Sequence, residues 1–261
     1  MKKLFLFDMD GTLTPSRKTI EKSMIIALQD LMKISNVGIV TGSGYEYVKE
    51  QCHDLLLGTK INKKNLSILP CNGTQRYIYG SRGWNQVYSV SMKNQIGEEK
   101  YRKIITEILK IQSKLVKKHK ELPVSGTFMQ YRKSLLNWCP MGRDHQLKDR
   151  ENFIKLDEKE SLRKKSIQKL VKKINLKNDN LSFALGGECS VDIYPKGWDK
   201  TYALTHFEHY ETIYFVGDRC KKGGNDYHLY KKLKEKNRAF KTKNPENTIE
   251  IINNLILPNI L

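Results

Sequence analysis

The chain has 261 residues, 39% of them hydrophobic, and a formal charge of +19 at pH 7. That length is enough to bury a core in one large domain or in two smaller ones. The apolar runs are far too short to span a bilayer, so we expect no membrane insertion. The five cysteines include no Cys-x-x-Cys pair, a pattern typical of a reduced, cytoplasmic protein with unpaired thiols.

The first 80 residues are predicted to alternate between strands and helices, which indicates a parallel sheet. The apolar spacing predicts, in chain order, a strand at 3–8, a helix at 20–33, a strand at 37–41, a helix from 43 to about 55 and a strand region at 67–79. Ser43 and Glu46 have the spacing of a capping box, which places the start of the second helix at Ser43. Asn72-Gly73 is a turn signal within the last region.

The pattern changes in the middle of the chain, where two helices are predicted beside several short strands. The predicted elements are a strand at 84–92, a helix at 97–118, strands at 126–132 and 135–139, a helix through 167–174, and strands at 181–185 and 189–194. Two helices on an antiparallel sheet form an α+β layer of their own. The middle therefore reads as an insertion into the α/β domain.

Strand–helix alternation then resumes. A strand is predicted at 212–217 and a helix at 224–235, and Asn244-Pro245 has the signature of a helix start. We therefore predict an α/β core made of residues 1–82 and 186–261, with an inserted α+β cap domain at 83–185.

A pair of aspartates ends the first predicted strand. Asp8 and Asp10 follow the apolar run Leu4–Phe7 and precede Gly11. Side chains two residues apart on a strand face the same side, and open α/β sheets have their sites at the C-terminal strand ends. One carboxylate can attack phosphorus while the other handles the proton of the leaving oxygen. The alternative is a loop with two solvated aspartates.

Further groups suited to phosphoryl transfer follow other predicted strands. Ser43 is placed at a helix N-terminus, a natural anion site, although a plain helix cap is the alternative. Lys200 could neutralise a phosphorylated aspartate, or it could be an ordinary surface lysine. Asp218 suits Mg²⁺, held together with Asp8 and a backbone carbonyl that we assign to Asp10. Asp226 is expected to be a helix cap or an outer-shell group.

These motifs resemble those of the haloacid dehalogenase superfamily of phosphotransferases, in the same order along the chain. The resemblance implies a Rossmann-like core, Asp8 as nucleophile, Asp10 as general acid/base, Thr41 and Ser43 as phosphate donors, Lys200 as counter-charge and Asp218 as metal ligand. Five further segments, and Pro15-Ser16-Arg17 after the aspartates, resemble the eukaryotic-type phosphomannomutases within it. The five segments are 126–132, 136–143, 186–195, 197–200 and 223–226.

The narrower resemblance implies a set of residues that bind the sugar phosphate. They are Arg17, Arg132, Asn137, Arg143, Arg150, Ser190 and Asp192. It also implies Mg²⁺, a hexose 1,6-bisphosphate as activator, a homodimer formed through the cap, and a role in supplying GDP-mannose synthesis. The implied reaction is the interconversion of mannose 6-phosphate and mannose 1-phosphate.

Two alternatives remain open. A sugar-phosphate phosphatase would use the same aspartyl-phosphate and pass it to water. A mutase instead needs a second anion site far from Asp8, for which arginines are suited unless they form surface salt bridges. Residues 84–184 contain 23 lysines and arginines against 11 acidic residues, which would also fit a basic nucleic-acid-binding protein on a degenerate enzyme fold. We expect no nucleic-acid binding, because these lysines lack interleaved aromatic residues.

Overall fold

The computed structural model describes residues 3–59, 61–174 and 180–259. The strands are β1 (Lys3–Phe7), β2 (Asn36–Val40), β3 (Leu66–Leu69), β4 (Gln75–Gly80), β5 (Gly83–Ser89), β6 (Met129–Tyr131), β7 (Leu136–Trp138), β8 (Leu181–Gly186), β9 (Ser190–Pro195), β10 (Thr212–Gly217) and β11 (Ala239–Lys241). The α-helices are α1 (Lys22–Ile34), α2 (Tyr45–Gln51), α3 (His53–Leu57), α4 (Met92–Ile96), α5 (Glu98–Lys118), α6 (Leu147–Glu160), α7 (Leu162–Ile174), α8 (Tyr227–Lys234) and α9 (Pro245–Glu250).

The chain forms two compact units. The core unit contains the residues up to Ser89 together with those from Trp198 onward, and the cap unit contains Val90–Gly197. The α/β fold class with an inserted α+β unit is confirmed. The two boundaries between the units, after Ser89 and after Gly197, lie later in the chain than the boundaries predicted after residues 82 and 185. The reason is strand pairing, because β5 belongs to the sheet of the core unit and β9 to the sheet of the cap unit.

The core unit is built on a seven-stranded sheet in the order β11-β10-β1-β2-β3-β4-β5. The strands from β11 to β3 are parallel, and β4 and β5 are antiparallel additions. Alternate residues of β1 enter two different hydrophobic clusters, since Phe5 and Phe7 pack in one and Leu4 and Leu6 in the other. Burial on both faces is typical of a central parallel strand. The continuous apolar run of β1 is thus explained by its place in the middle of the sheet.

Two local expectations for the core unit are wrong. The strand predicted for the cap at 84–92 is β5, which pairs with β4 across a tight turn because the two strands form a hairpin. The second helix begins at Tyr45 after Gly44, without a side-chain cap. Ser43 does not cap it because this residue is held in the preceding loop, where its backbone N–H donates to Thr41 Oγ1 at 3.1 Å.

The cap unit contains a four-stranded antiparallel sheet in the order β6-β7-β9-β8. The long helix α5 packs on α7, and α7 contacts β8 and β9. Trp138 of β7 is fully buried, and its indole N–H donates to Gln112 of α5 at 2.8 Å. The predicted α+β layer is confirmed, whereas helix α6 was not predicted because its few apolar residues give a weak pattern.

The remaining general expectations concern membranes and cysteines. None of the helices in the described ranges has the length and apolar character that a bilayer crossing requires. All five cysteines lie among the described residues, where they are buried and outside disulfides, which agrees with the reduced thiols that the sequence predicted.

Candidate active site

Three predicted site residues follow the C-terminal ends of neighbouring parallel strands. Asp8 follows β1, Thr41 follows β2, and Asp218 follows β10. The strands are in register, and the backbone N–H of Asp8 donates to the carbonyl oxygen of Val216 at 2.9 Å. The edge of the sheet where an open α/β fold has its binding crevice therefore carries two carboxylates and a hydroxyl group.

Lys200 is fully buried at this edge, so it is not a surface lysine. Its Nζ donates to Asp8 Oδ1 and to Asp226 Oδ1, the second at 2.6 Å. Thr12 Oγ1 lies 3.4 Å from the other oxygen of Asp8. The Asp8 carboxylate is thus oriented from both sides in a buried position.

Negative charge exceeds positive charge in this cluster, and the pKa values reflect it. Burial, and after it the neighbouring Asp226, raises the pKa of Asp8 well above its ordinary range, although Lys200 lowers it. Burial and Asp226 also raise the pKa of Asp218 to about 6. Burial lowers the pKa of Lys200, but Asp226 and Asp8 outweigh it and raise that pKa above its ordinary value. Lys200 therefore keeps its proton, and an added cation would favour ionised carboxylates.

The residues present fit a divalent cation. Within the described residues, one carboxylate oxygen from each of Asp8, Asp218 and Asp226 lies within 4.8 Å of the others. Asp218 Oδ1 is buried and has no hydrogen-bond partner among the described groups. Gly11 has φ +82, and a Cβ at that position would lie 2.6 Å from Asp218 Oδ2. A set of oxygen donors in a space that glycine leaves open suits Mg²⁺.

The Asp10 carboxylate lies outside that group and has different partners. Tyr47, in the first turn of α2, donates its hydroxyl hydrogen to Asp10 Oδ1 at 2.8 Å. The backbone N–H of Arg17 lies 3.4 Å from the same oxygen, and Arg17 has φ +61. Burial, and after it the charge of Asp10, raises the pKa of Tyr47 above its ordinary value. The predicted acid/base residue is therefore held by the side chain of a residue that the sequence did not single out.

The loop with Thr41 and Ser43 is held by the turn around Asn72. The backbone N–H of Asn72 donates to the Thr41 carbonyl oxygen at 2.7 Å, and that of Cys71 to the Ser43 carbonyl oxygen at 2.9 Å. The Asn72 side chain donates to the carbonyl oxygen of Trp198 at 3.1 Å. One turn therefore connects the predicted phosphate loop to the segment that leads to Lys200.

The predicted sugar-phosphate residues other than Arg17 lie in the cap unit. Asn137 on β7 donates through Nδ2 to Ser190 Oγ at 2.9 Å and to Asp192 Oδ1 at 2.6 Å. Burial raises the pKa of Asp192, while Arg132, Asn137 and Arg143 lower it. Asn137 Oδ1 is buried without a hydrogen-bond partner among the described groups. This oxygen can therefore accept a hydrogen bond from a ligand group such as a sugar hydroxyl.

Arg150, one of the predicted cap arginines, is held by a carboxylate within the cap unit. It forms a salt bridge with Glu188, with Nη2 at 2.5 Å and Nε at 3.1 Å from the same oxygen. Substrate binding by Arg150 would have to exchange this partner. Arg132, which follows β6, donates through Nε to Gln130 Oε1 at 3.0 Å.

Asp226 and Tyr47 are the site residues that the sequence interpretation underestimated or missed. Asp226 precedes α8, but its side chain does not cap the helix. It is fully buried, contacts Lys200, and accepts the backbone N–H of Arg219 at 2.9 Å. Of the two expectations for Asp226, its contacts therefore fit the outer-shell group, whereas a helix cap made by the side chain is wrong. Tyr47 was missed. The sequence signal that could have identified it is its position in the first turn of the helix that follows the predicted phosphate loop.

Comparisons with known proteins match nearly the whole chain. The family model of eukaryotic phosphomannomutase matches residues 24–258. The phosphomannomutase of Dendrobium officinale is 36% identical over 248 residues, which are 95% of this chain and 91% of the relative. That of Schizosaccharomyces pombe is 35% identical over 256 residues, with 95% and 92% covered.

A solved structure also resembles the fold. An N-terminally truncated IMP-nucleotidase from Plasmodium falciparum has a TM-score of 0.65 and 16% sequence identity. The match covers 97% of this chain and 71% of that one. At this level of identity the likeness concerns the fold alone.

Proposed function

Because the chain belongs to the eukaryotic phosphomannomutase family of the haloacid dehalogenase superfamily, we propose that it interconverts mannose 6-phosphate and mannose 1-phosphate. The observation that carries the proposal is the presence of two groups of anion-binding or polar side chains, one in each unit. The core unit supplies the Asp8 cluster, and the cap unit supplies Arg132 and Arg143 beside Asp192. A mutase needs a reacting site and a second phosphate site, whereas a phosphatase needs only the first.

In the proposed reaction Asp8 is the nucleophile. A carboxylate oxygen of Asp8 bonds to phosphorus while the ester bond between phosphorus and a sugar oxygen of hexose 1,6-bisphosphate breaks. The carboxyl group of Asp10 gives its proton to the leaving sugar oxygen. In the second step the free hydroxyl of a mannose monophosphate, at C6 of mannose 1-phosphate or at C1 of mannose 6-phosphate, attacks the phosphoryl group on Asp8. The bond between phosphorus and Asp8 breaks, and Asp10 takes up the proton of that hydroxyl. Asp8 then takes the other phosphoryl group of the bisphosphate so formed, and the isomeric monophosphate is released. The bisphosphate is thus both primer and intermediate.

The remaining core residues hold charge and phosphate oxygens. Lys200 places a positive charge beside Asp8, and Asp226 keeps this lysine in position. Thr41 and Ser43 are proposed to donate hydrogen bonds to the transferring phosphoryl group. Mg²⁺ would be held by Asp8, Asp218 and the backbone carbonyl of Asp10, and would supply positive charge against the phosphoryl oxygens.

The cap residues are proposed to bind the rest of the substrate. Arg132 and Arg143 of the cap unit would bind the distal phosphate, because a guanidinium group grips phosphate bidentately. For Arg17 of the core unit, contact with the sugar phosphate is proposed from the family resemblance. Arg150 would join them after leaving Glu188. Asn137, Ser190 and Asp192 would bind sugar hydroxyls.

Family membership supports three further proposals about the cellular role. We propose that the protein is cytoplasmic, that it forms a homodimer through the cap, and that its mannose 1-phosphate supplies GDP-mannose synthesis. Light scattering on the purified protein tests the dimer directly.

The reaction is tested by incubating the protein with mannose 1-phosphate, Mg²⁺ and a trace of hexose 1,6-bisphosphate. We expect mannose 6-phosphate to form with little free phosphate, and chelation by EDTA to stop the reaction until Mg²⁺ is returned. Release of free phosphate without mannose 6-phosphate would instead identify a phosphatase. Full activity in EDTA would contradict the metal assignment.

A further inference from the structure

The two carboxylates that end β1 are held by different kinds of partners. Asp8 is bound by Lys200 within the buried group that also contains Asp218 and Asp226. Asp10 is partly buried, and its described side-chain partner is the hydroxyl group of Tyr47 at 2.8 Å. One aspartate is therefore held by a charged lysine, and the other accepts a hydrogen bond from a neutral side chain on α2.

We propose that Tyr47 is a positioning residue for Asp10. This inference rests on the proposed function, in which Asp10 gives and takes the proton of the sugar oxygen. At neutral pH a phenol carries its proton, so Tyr47 donates and Asp10 Oδ1 accepts. The contact fixes the rotation of a short carboxylate side chain, and the backbone N–H of Arg17 supports the same oxygen at 3.4 Å.

The surroundings of Tyr47 are suited to this role. The tyrosine lies in the first turn of α2, and Val48, the next residue of that turn, is buried in the core cluster. The helix is thus anchored to the core, and Tyr47 is itself partly buried and packs against the same cluster. A donor on an anchored helix holds its acceptor more tightly than one on a mobile loop would, because less side-chain freedom must be lost at each turnover.

A positioning role through Asp10 has a specific chemical consequence. A sugar oxygen is a poor leaving group and needs a proton as its bond to phosphorus breaks. A nitrophenol oxygen leaves readily without one. Loss of the Tyr47 hydroxyl should therefore slow transfer from sugar phosphates and leave transfer from p-nitrophenyl phosphate nearly unchanged. A residue that merely supports the fold would affect both substrates equally.

The test compares Tyr47→Phe with Tyr45→Phe in the intact protein. Tyr45 is on the same helix but stacks on Tyr77, with ring centroids 3.7 Å apart, so its variant is a matched loss of one hydroxyl. The rate of Asp8 phosphorylation is measured in single turnovers with hexose 1,6-bisphosphate and with p-nitrophenyl phosphate. For Tyr47→Phe we expect at least a tenfold loss with the bisphosphate and less than threefold with the aryl ester. For Tyr45→Phe we expect less than threefold with either.

A double-mutant cycle tests whether the effect passes through Asp10. In an Asp10→Asn background, Tyr47→Phe should cause little further loss with the bisphosphate, because the residue that it positions is already inactive. Additive losses, equal losses on both substrates, or an unchanged rate with the bisphosphate would each overturn the proposal.

Failure of the proposed function gives a different result. Wild-type protein that reacts with sugar phosphates but forms no mannose 6-phosphate would contradict the mutase reaction. The positioning role of Tyr47 would still be tested in that case, by comparing the rate loss of Tyr47→Phe with those sugar phosphates and with p-nitrophenyl phosphate. Wild-type protein that phosphorylates Asp8 from neither substrate would contradict both proposals.

Discussion

Each of the two units buries one strongly basic side chain among its described residues. The charges of these two side chains are neutralised in different ways. In the part of the chain that the structure describes, Lys200 and Arg163 are the buried lysine and the buried arginine. Lys200 contacts the carboxylates of both Asp8 and Asp226, and Asp218 lies beside them. Three carboxylates therefore surround one cation.

The charge of Arg163 in the cap unit is balanced by a single carboxylate. Its Nε donates to one carboxylate, that of Asp157, at 2.8 Å. Its Nη1 donates to the carbonyl oxygens of Gly187 and Ser190 at 3.1 and 3.2 Å. These contacts fasten the start of α7 to the turn between β8 and β9. A buried cation with matched charge is part of the architecture, whereas one with an excess of carboxylates indicates a site that takes up further positive charge.

The largest expected effect tests the chemical role of the unbalanced cluster. Asp8→Asn keeps the size of the side chain but removes the nucleophilic charge. We expect phosphoryl transfer to fall by about four orders of magnitude or more, with any substrate, and the fold to be retained. The measurement is trapping of phosphorylated protein, with the beryllium fluoride adduct of the wild type as reference. Near-normal turnover by this variant would show that the excess of carboxylates has another cause.

The balanced cation is expected to matter for stability instead. Arg163→Met removes the cation beside the mostly buried Asp157, whose other oxygen still accepts the backbone N–H of residue 163 at 2.8 Å. We expect a loss of about 3 kcal/mol in the free energy of unfolding, the lower end of the cost for a buried pair. Urea unfolding of the cap unit measures the loss. The folded fraction should still hydrolyse p-nitrophenyl phosphate at the wild-type rate, because that substrate has no distal anion for the cap to bind.

The double variant Arg163→Met/Asp157→Leu is the control for this interpretation. Replacing both charges by apolar side chains removes the unpaired carboxylate, so we expect it to be more stable than Arg163→Met alone. If the double variant is the less stable of the two, the pair contributes more than charge balance, and the contrast with Lys200 has to be abandoned.

Most of the fold could be predicted from periodicity, and the errors have local causes. Strands β1, β2 and β10 are continuous apolar runs, and α5 shows a clear helical spacing of buried residues. The sequence of β5 does not show which sheet it joins, because hairpin pairing with β4 depends on the turn between them. The start of α2 was placed too early because a capping-box spacing cannot show that Ser43 is engaged in a loop.

The candidate site was predictable where residues follow strand ends, and less so elsewhere. Asp8 and Asp218 follow apolar strands, so their approach at one sheet edge follows from the topology. Burial of Lys200 was not predictable from spacing in a chain with 47 basic residues. Tyr47 could not be identified either, because its contact with Asp10 joins residues 37 positions apart.

A smaller effect is expected from the cap unit, and it tests whether this unit binds the distal phosphate while the core unit carries out phosphoryl transfer. If Arg143 binds the distal phosphate, Arg143→Ala loses a charge-assisted contact worth on the order of 2–5 kcal/mol when well desolvated. We expect the mutase rate to fall at least tenfold more than p-nitrophenyl phosphate hydrolysis. Lys148→Ala, which removes an exposed charge of α6, should change neither. Equal loss of both activities in Arg143→Ala would mean that this arginine supports the fold, and the distal-phosphate assignment would be dropped.

The smallest effect concerns two partly buried or buried carboxylates, one in each unit, whose pKa values are both raised. Burial and Asp226 raise the pKa of Asp218 from 3.8 to about 6. Burial raises the pKa of Asp192, although Arg132 lowers it. A raised carboxyl pKa means that the folded protein binds the proton more tightly than the unfolded chain does. Each group therefore favours folding below its unfolded pKa, and this contribution is lost as the pH rises through the folded value.

Without metal, the free energy of unfolding should thus fall between about pH 4 and pH 6 through Asp218, by on the order of 1 kcal/mol because that side chain is only partly buried. Mg²⁺ should reverse the fall at pH 7, since a bound cation favours the ionised carboxylate.

Asp218→Asn should flatten the pH dependence and remove most of the Mg²⁺ effect. Asp192→Asn should reduce only its own part of the pH dependence, because Arg132 and Arg143 already provide positive charge there, and should leave the Mg²⁺ effect intact. Thermal unfolding at pH 5 and pH 7, with EDTA or with Mg²⁺, measures all four combinations. A Mg²⁺ effect that survives in Asp218→Asn and disappears in Asp192→Asn would place the cation in the cap unit and reverse the comparison between the two units.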